Sequence, residues 1–325
     1  MNDPVDPLRL ARLLGPAASA CREGLTGGTG VALPPFIDHH VHLHLIDDRA
    51  LTAGGIAGIL DLGGDPAALT RRPRRAVPRR AFAGAFLTVP GGYPSGRSWA
   101  PDAVVCEVTS DSPHEGVPGG AATAVAEQAA FGASVIKVAL NSTAGPVFDR
   151  ETLAAIVSAA HDRALPVVAH AEGEGMPRLA LRGGVDALAH TPTEHLGPRF
   201  IASAVAAGQR WISTLDIHEG DARSTAVANL AAFAAAGGTV LYGTDLGNGD
   251  LPTGVNAREL AALVDAGLDG PALIDALTDP WPLEPGTGAF TTFIPGTPPD
   301  TVDELPAWLA TATVVLTEEL VHDQD

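Results

Sequence analysis

Residues 36–43 read FIDHHVHL, and His44 follows directly. Four of the chain's eleven histidines therefore lie between His39 and His44. The apolar residues around them predict a strand, and a strand turns only every second side chain to one face. His40, His42 and His44 share a face; His39 points the other way. Two imidazoles at i and i+2 on one face can share a divalent metal ion. Parity alone leaves two such pairs, His40 with His42 and His42 with His44.

Comparable apolar runs recur along the chain. Strands are predicted at 36–43, 55–63, 80–89, 134–140, 165–171, 185–190, 210–217 and 238–245. Helices are predicted at 119–131, 149–164, 174–183, 196–207, 221–236 and 256–267. The clearest is DRETLAAIVSAAHDRA, with an acidic first turn and apolar residues spaced three and four apart. Strands alternating with helices imply parallel βα units, and eight of them imply an α/β fold of the (β/α)8 TIM-barrel type. An open doubly wound sheet would want a glycine-rich phosphate turn after its first strand, and none follows. His40, His42, Lys137, His170, His190 and Asp245 fall at or near the C-terminal ends of their strands, with Asn141 just past the fourth. A closed barrel brings those ends to one point, which is where catalytic groups gather in such folds. An open sheet does not.

Composition narrows the function. The 325 residues carry a net charge of −18, which argues against nucleic acid, since phosphate binding needs a basic face. No apolar run is long enough for a membrane span, and the acidic, Arg-interrupted N-terminus makes a poor signal peptide. Cys21 and Cys106 form no CxxC pattern and suit a reducing cytoplasm. Residues 71–80, RRPRRAVPRR, hold six arginines and read as a solvated loop. Only one lysine, Lys137, occurs against nineteen arginines, so this lone survivor invites a reason.

Six segments, in order, resemble the metal-dependent amidohydrolase superfamily. LPPFIDHHVHLHL resembles its PGFIDxHxH opening, which selects His40 and His42 as the H-x-H pair. GIAGILDLGG resembles the second-strand motif and GASVIKVAL the fourth-strand lysine motif. LPVVAHAEG and GVDALAHTP resemble the fifth- and sixth-strand histidine motifs, and LYGTDLG the eighth-strand aspartate motif. The resemblance spans roughly residues 31–250. LTVPGGY after the third strand is most similar to the prolidase-like and imidazolonepropionase-like branch.

The resemblance implies a binuclear site with two divalent ions, zinc being the expected metal. His40, His42 and Asp245 would hold one ion and His170 and His190 the other, with Lys137, carboxylated by CO2, bridging both. It implies hydrolysis of an amide-type bond (a peptide, N-acyl amino acid, cyclic imide or lactam) by metal-bridged hydroxide. Asp245 would act as general base and then acid, so the catalytic pair is Asp245 and Lys137. Relatives carry a small β-sandwich made from both termini. Here residues 1–30 and 281–325 are short and irregular, so a reduced or missing sandwich is expected around a hydrolase barrel at 31–280. Glu172 stands where relatives often carry an aromatic residue or His, which favours a substrate with a positive or hydrogen-donating group. Tyr93, Asn141, His195 and His218 are further candidates for substrate binding, and Arg97 for a substrate carboxylate. His44 is expected at the mouth, His39 against the surrounding helices, and Asp61 in a structural role. The expected setting is cytoplasmic, with a small-molecule substrate, no nucleic acid, no membrane, and a homo-oligomer compatible with the sequence. The alternatives are a same-fold enzyme performing cyclisation, dehydration or deamination, and an inactive metal-binding barrel.

Overall fold

The histidine-rich stretch forms a strand over Phe36–Val41, every residue of it buried. It pairs in parallel with Ile56–Asp61, which pairs with Arg79–Phe82. The computed structural model describes residues 6–73, 77–283 and 288–322. After Phe82 the chain breaks and resumes as Phe86–Thr88, held by buried Gln128, whose Oε1 accepts from Ala85 N at 2.9 Å. That segment opens a seven-stranded parallel sheet. Its order is Val105–Glu107, Phe86–Thr88, Ile136–Asn141, Val167–Glu172, Ala187–Leu188, Arg210–Ile212 and Thr239–Leu241. Beyond the last strand, a parallel bridge joins Leu246 to Val41, and Leu246 N donates to His40 O at 3.2 Å. His39 N donates to Tyr242 O at 3.0 Å and His42 N to Leu246 O at 2.8 Å. The result is a barrel-like α/β fold in which the first and last strands meet.

Two cores confirm which way the strands face. One cluster holds Ile37, Leu60, Ala81, Val168, Ala187, Ile212 and Leu241 from seven of the strands, with Val135 just before an eighth. A much larger cluster lies between the strands and the helices, including Trp211 and Phe233 stacked at 4.0 Å. Side chains that alternate along a strand are thus sorted between an inner and an outer layer. The first strand departs from strict alternation. Its register slips between Asp38 and Val41. A period of two carried from Ile37 would turn His39 inward; the slip gives that face to His40 and His42.

The helices lie where apolar spacing predicts them: Ala121–Phe131, Arg150–His161, Met176–Arg182, Pro198–Ala206, Gly220–Ala235 and Ala257–Asp265. Asp149 caps Arg150–His161 by accepting from Thr152 N at 2.7 Å, and Asn256 caps Ala257–Asp265 by accepting from Arg258 N at 2.9 Å. No helix among the described residues is long and apolar enough to cross a membrane.

Where a reduced or missing sandwich is expected, the chain ends form a small sheet of their own. Ser19–Glu23, Thr29–Leu33, Phe290–Pro295, Thr313–Leu316 and Leu320–His322 form one five-stranded antiparallel sheet. It carries its own small core of Cys21, Ala32, Phe293 and Leu320. Its strands are three to six residues long and pair across some 300 positions, as Cys21 does with His322, so no local period announces them. The Arg-rich stretch is tied down at its ends: Arg72 and Arg80 both donate to Asp48 Oδ2, at 2.6 and 3.1 Å. Residues 1–5, 74–76, 284–287 and 323–325 lie outside the described residues. No disulfide joins Cys21 and Cys106.

Gly243 sits where the eighth strand crosses the first. A Cβ there would lie 2.3 Å from Ile212 Cγ2 and 3.2 Å from both Cβ and N of His40. Gly243→Ala should lower stability by about 1–3 kcal/mol through overpacking. Urea unfolding checks it: the midpoint should fall at an unchanged slope.

Candidate metal centre

The inner layer changes character along the strands. Two residues beyond Val135 comes Lys137, and two beyond Val168 comes His170, so both continue the inward face above an apolar floor. His40, His42 and Asp245 form the tightest group: one ligand atom from each lies within 4.8 Å of the others, and all three are buried. Nε2 of His40 and Nε2 of His42 each lie 3.2 Å from Asp245 Oδ1. The His190 ring sits 4.7 Å from that of His40, and the His170 ring 4.9 Å from that of His190.

Backbone and side-chain partners fix the tautomers. His40 Nδ1 is 2.9 Å from Ala189 O and His42 Nδ1 is 3.0 Å from Gly63 O. A carbonyl only accepts, so both Nδ1 atoms donate and both Nε2 lone pairs face inward. His170 Nε2 lies 3.1 Å from both Glu172 Oε2 and Asn141 Nδ2, which occupies that nitrogen and leaves Nδ1. His190 Nδ1 lies 3.0 Å from Thr214 Oγ1, which leaves its Nε2. Two of these supports are strained. Thr214 has φ 42° and Asp245 has φ 56°, the left-handed region that β-branched residues in particular avoid.

Lys137 is 1% exposed, and its Nζ is buried with no hydrogen-bond partner. Burial lowers its pKa to about 7, against the pull of Asp245 and Asp61. Burial also lowers His40 and His190 well below the ordinary imidazole value. Burial alone would raise Asp245, but His40, His42 and His190 together hold it well below the carboxylate range. For His42, burial works against the charged form, yet the hydrogen bond to Asp245 raises its pKa. A proton there answers the carboxylate as a cation would. The donor set therefore fits a metal: imidazole lone pairs converge on an ionised carboxylate beside an orphaned amine.

The remaining candidates divide. Tyr93 stacks on the His170 ring at 4.8 Å, with burial pushing its hydroxyl pKa upward. Asn141 donates from Nδ2 to Glu172 Oε2 at 2.8 Å and is itself held through Oδ1 by Thr143 and Ala144. His218 is half-buried, with Nε2 enclosed and unpartnered, and feels the charges of Glu172 and Asp245. His195 and Arg97 are exposed, and no described ring contact or ion pair links either to the cluster. His44 is exposed and donates to Trp99 O at 3.2 Å. His39 is buried between Tyr242 O at 2.8 Å and Asp279 O at 3.1 Å. Asp61 accepts from Leu43 N at 2.7 Å and Gly63 N at 3.0 Å, a structural role.

Sequence reasoning missed Trp99 and Thr214. The Trp99 ring lies 6.3 Å from that of His42 and 6.0 Å from that of Tyr93. Its only signal was its position six residues past Tyr93 in the same loop.

No protein-family model matches the chain, and no curated protein matches it in sequence. Solved structures do match. A Xaa-Pro dipeptidase with bound methionine is 19% identical, with a TM-score of 0.68 over 90% of this chain and 87% of that one. The ochratoxinase of A. niger is 19% identical, with a TM-score of 0.66 over 87% and 81%. A further amidohydrolase is 18% identical, with a TM-score of 0.66 over 90% and 87%. The chain has the fold of these prolidase-type and amidohydrolase structures, as the six motifs led one to expect.

Lys137 should destabilise the protein whenever metal is absent. Its folded pKa is about 7 against 10.5 for the ordinary group. Below pH 7 both states are protonated and the folded state carries the full burial penalty. Between pH 7 and 10.5 only the unfolded chain holds the proton, so the penalty shrinks and then vanishes. In chelator-treated protein, Lys137→Met should therefore gain about 3–5 kcal/mol at and below pH 7. That gain should decline steadily toward pH 10.5, as read by urea midpoints across pH.

Proposed function

We propose that this chain is a binuclear metal-dependent amidohydrolase, built on a closed (β/α)8 barrel, that cleaves an amide-type bond in a small molecule. The observation that carries the reading is the convergence of four histidines and Asp245 around the unpartnered Nζ of Lys137. His40, His42 and Asp245 would hold one divalent ion, His170 and His190 the other, and Lys137 would reach both as a carbamate. When bound, two such ions, expected to be zinc, polarise a carbonyl and bring the pKa of water toward neutrality.

The chain's own groups supply the rest. Lys137, with its pKa brought down by burial, presents a neutral amine. Its Nζ can bond to the carbon of CO2 and release a proton, giving an anion with two oxygens that suits a bridging position. Asp245, kept ionised by its histidine neighbours, is the base that accepts a proton from water and passes it to the departing nitrogen. Buried Asp38, accepting from Thr244 N at 3.0 Å, anchors the turn that presents that carboxylate. Peptides, N-acyl amino acids, cyclic imides and lactams all present the carbonyl and nitrogen this arrangement requires. The solved neighbours, a dipeptidase and an ochratoxinase among them, support amide hydrolysis as the chemistry. A cytoplasmic setting accords with the absence of a disulfide between Cys21 and Cys106.

Two metal equivalents per chain, with turnover on a dipeptide and N-acyl amino acid panel, are the expected result for the wild type. Lys137→Ala should lose bound metal and at least about 100-fold in kcat/KM, more than a supporting residue would account for. A short-chain carboxylic acid should restore part of both. Full activity with both metals retained in that variant excludes the bridging role.

A further inference from the structure

The proposed hydrolytic site leaves open which amides it accepts, and three side chains outside the ligand set bear on that. Glu172 is two residues beyond His170 on the same strand, with its side chain 51% exposed. Its Oε2 is fully engaged, accepting from Asn141 Nδ2 at 2.8 Å and lying 3.1 Å from His170 Nε2. Among the described residues, nothing donates to Oε1. Asn141 is fixed in turn by Thr143 and Ala144, so the carboxylate is held rather than swinging in solvent. Beside it, the enclosed Nε2 of His218 has no partner. Across from this polar group stands an aromatic wall. Tyr93 lies on the His170 ring at 4.8 Å, and Trp99 lies 6.0 Å from Tyr93 and 6.3 Å from His42. His170 thus touches both the Glu172 carboxylate and the Tyr93 ring, and Tyr93 feels the Glu172 charge.

We infer that Glu172, with Tyr93 and Trp99, selects substrates that carry a free ammonium group beside an aromatic or large apolar side chain. An α-amino amide, such as the amino-terminal residue of a short peptide, has both within one residue. This rests on the hydrolytic reading of the site and narrows its substrate class. The physical grounds are direct. A fixed carboxylate oxygen with an open acceptor position forms a charge-assisted hydrogen bond with an ammonium. Aromatic rings add apolar contact and cation–π attraction beside it. An acyl group without the amine would leave that carboxylate facing an apolar surface. Glu172 also orients His170, and a role confined to that is the rival to exclude.

The test compares L-phenylalanine with 3-phenylpropanoate, which differ only in the amine and hold no amide bond to cleave, by titration calorimetry on the metal-loaded protein. The wild type should bind the amine-bearing ligand at least about tenfold more tightly. Glu172→Gln should erase that preference while keeping its metal. Trp99→Ala should weaken both ligands and leave the preference in place. Equal binding of the two ligands by the wild type overturns the inference without recourse to any variant, as does no binding of either. A Glu172→Gln protein that weakens both ligands alike, with the preference intact, assigns Glu172 to holding His170 and also overturns it. Binding is read without turnover, so a wild type that discriminates the ligands but hydrolyses no amide leaves this inference standing and removes the hydrolytic reading. A wild type that hydrolyses N-acyl compounds and ignores the amine does the reverse.

Discussion

A lysine cannot rest inside a protein with its amine unpaired unless something else answers it. Lys137 is the only lysine in the chain, it is 1% exposed, and its Nζ has no hydrogen-bond partner. Desolvation of an ammonium is among the larger penalties a fold can carry. Asp245 is the nearest source of opposite charge, yet its carboxylate is already met by His40 and His42. The amine therefore stands near neutrality in a cage of imidazoles, of which His40 and His190 are kept uncharged by burial. Such a cage is poor as a salt-bridge network and good as a donor set. The rest of the barrel can be read as the scaffold that keeps this unfavourable arrangement in place.

That scaffold works largely through the backbone. The carbonyls of Ala189 and Gly63 hold the rings of His40 and His42. Buried Asp38 accepts from His40 N and Thr244 N, both at 3.0 Å, and from Thr244 Oγ1 at 2.6 Å. One carboxylate thereby ties the first strand to the turn that presents Asp245. Asp61 does the same between the first and second strands. Thr214 and Asp245, both in left-handed backbone, show where the strands end under tension. Side chains locked this way can lose a proton or gain a ligand without the geometry drifting, which is the advantage of building a site at strand ends.

The sequence made the buried polar cluster legible because its signals were chemical: a lone lysine, an H-x-H pair, and histidines and an aspartate at or near strand ends. Apolar runs located most of the parallel strands and six of the helices to within a few residues, but the run 80–89 divides into Arg79–Phe82 and Phe86–Thr88, and Val105–Glu107 was not expected. That signal failed where geometry departs from period. The register slip between Asp38 and Val41 decides that His40 and His42 face inward, and no residue there marks it. The terminal sheet is hard to read because two of its pairings, Cys21 with His322 and Thr292 with Leu33, join opposite ends of the chain. Thr214 carries a conformation its residue type disfavours, so composition pointed away from it. Trp99 belongs to the site only through the path of a loop, and a loop's path has no periodic signature.

The division between those two kinds of residue has a functional meaning. What the sequence announced most strongly belongs to the part that holds charge in place, and that part is fixed by strands, carbonyls and buried carboxylates. Much of what it failed to announce, or announced weakly, lies on the loops after the third and seventh strands, in Tyr93, Trp99 and His218. Tyr93 and Trp99 pack against the rings of His170 and His42 from loops, which tolerate change more readily than the strands do. Glu172 is the exception that joins the two. Its Oε2 serves His170 while its other oxygen looks outward, so any change in what the mouth accepts at this position also touches the tautomer of a ligand. A site divided in this way can alter its aromatic wall more readily, but it can alter its carboxylate only at the expense of the histidine behind it.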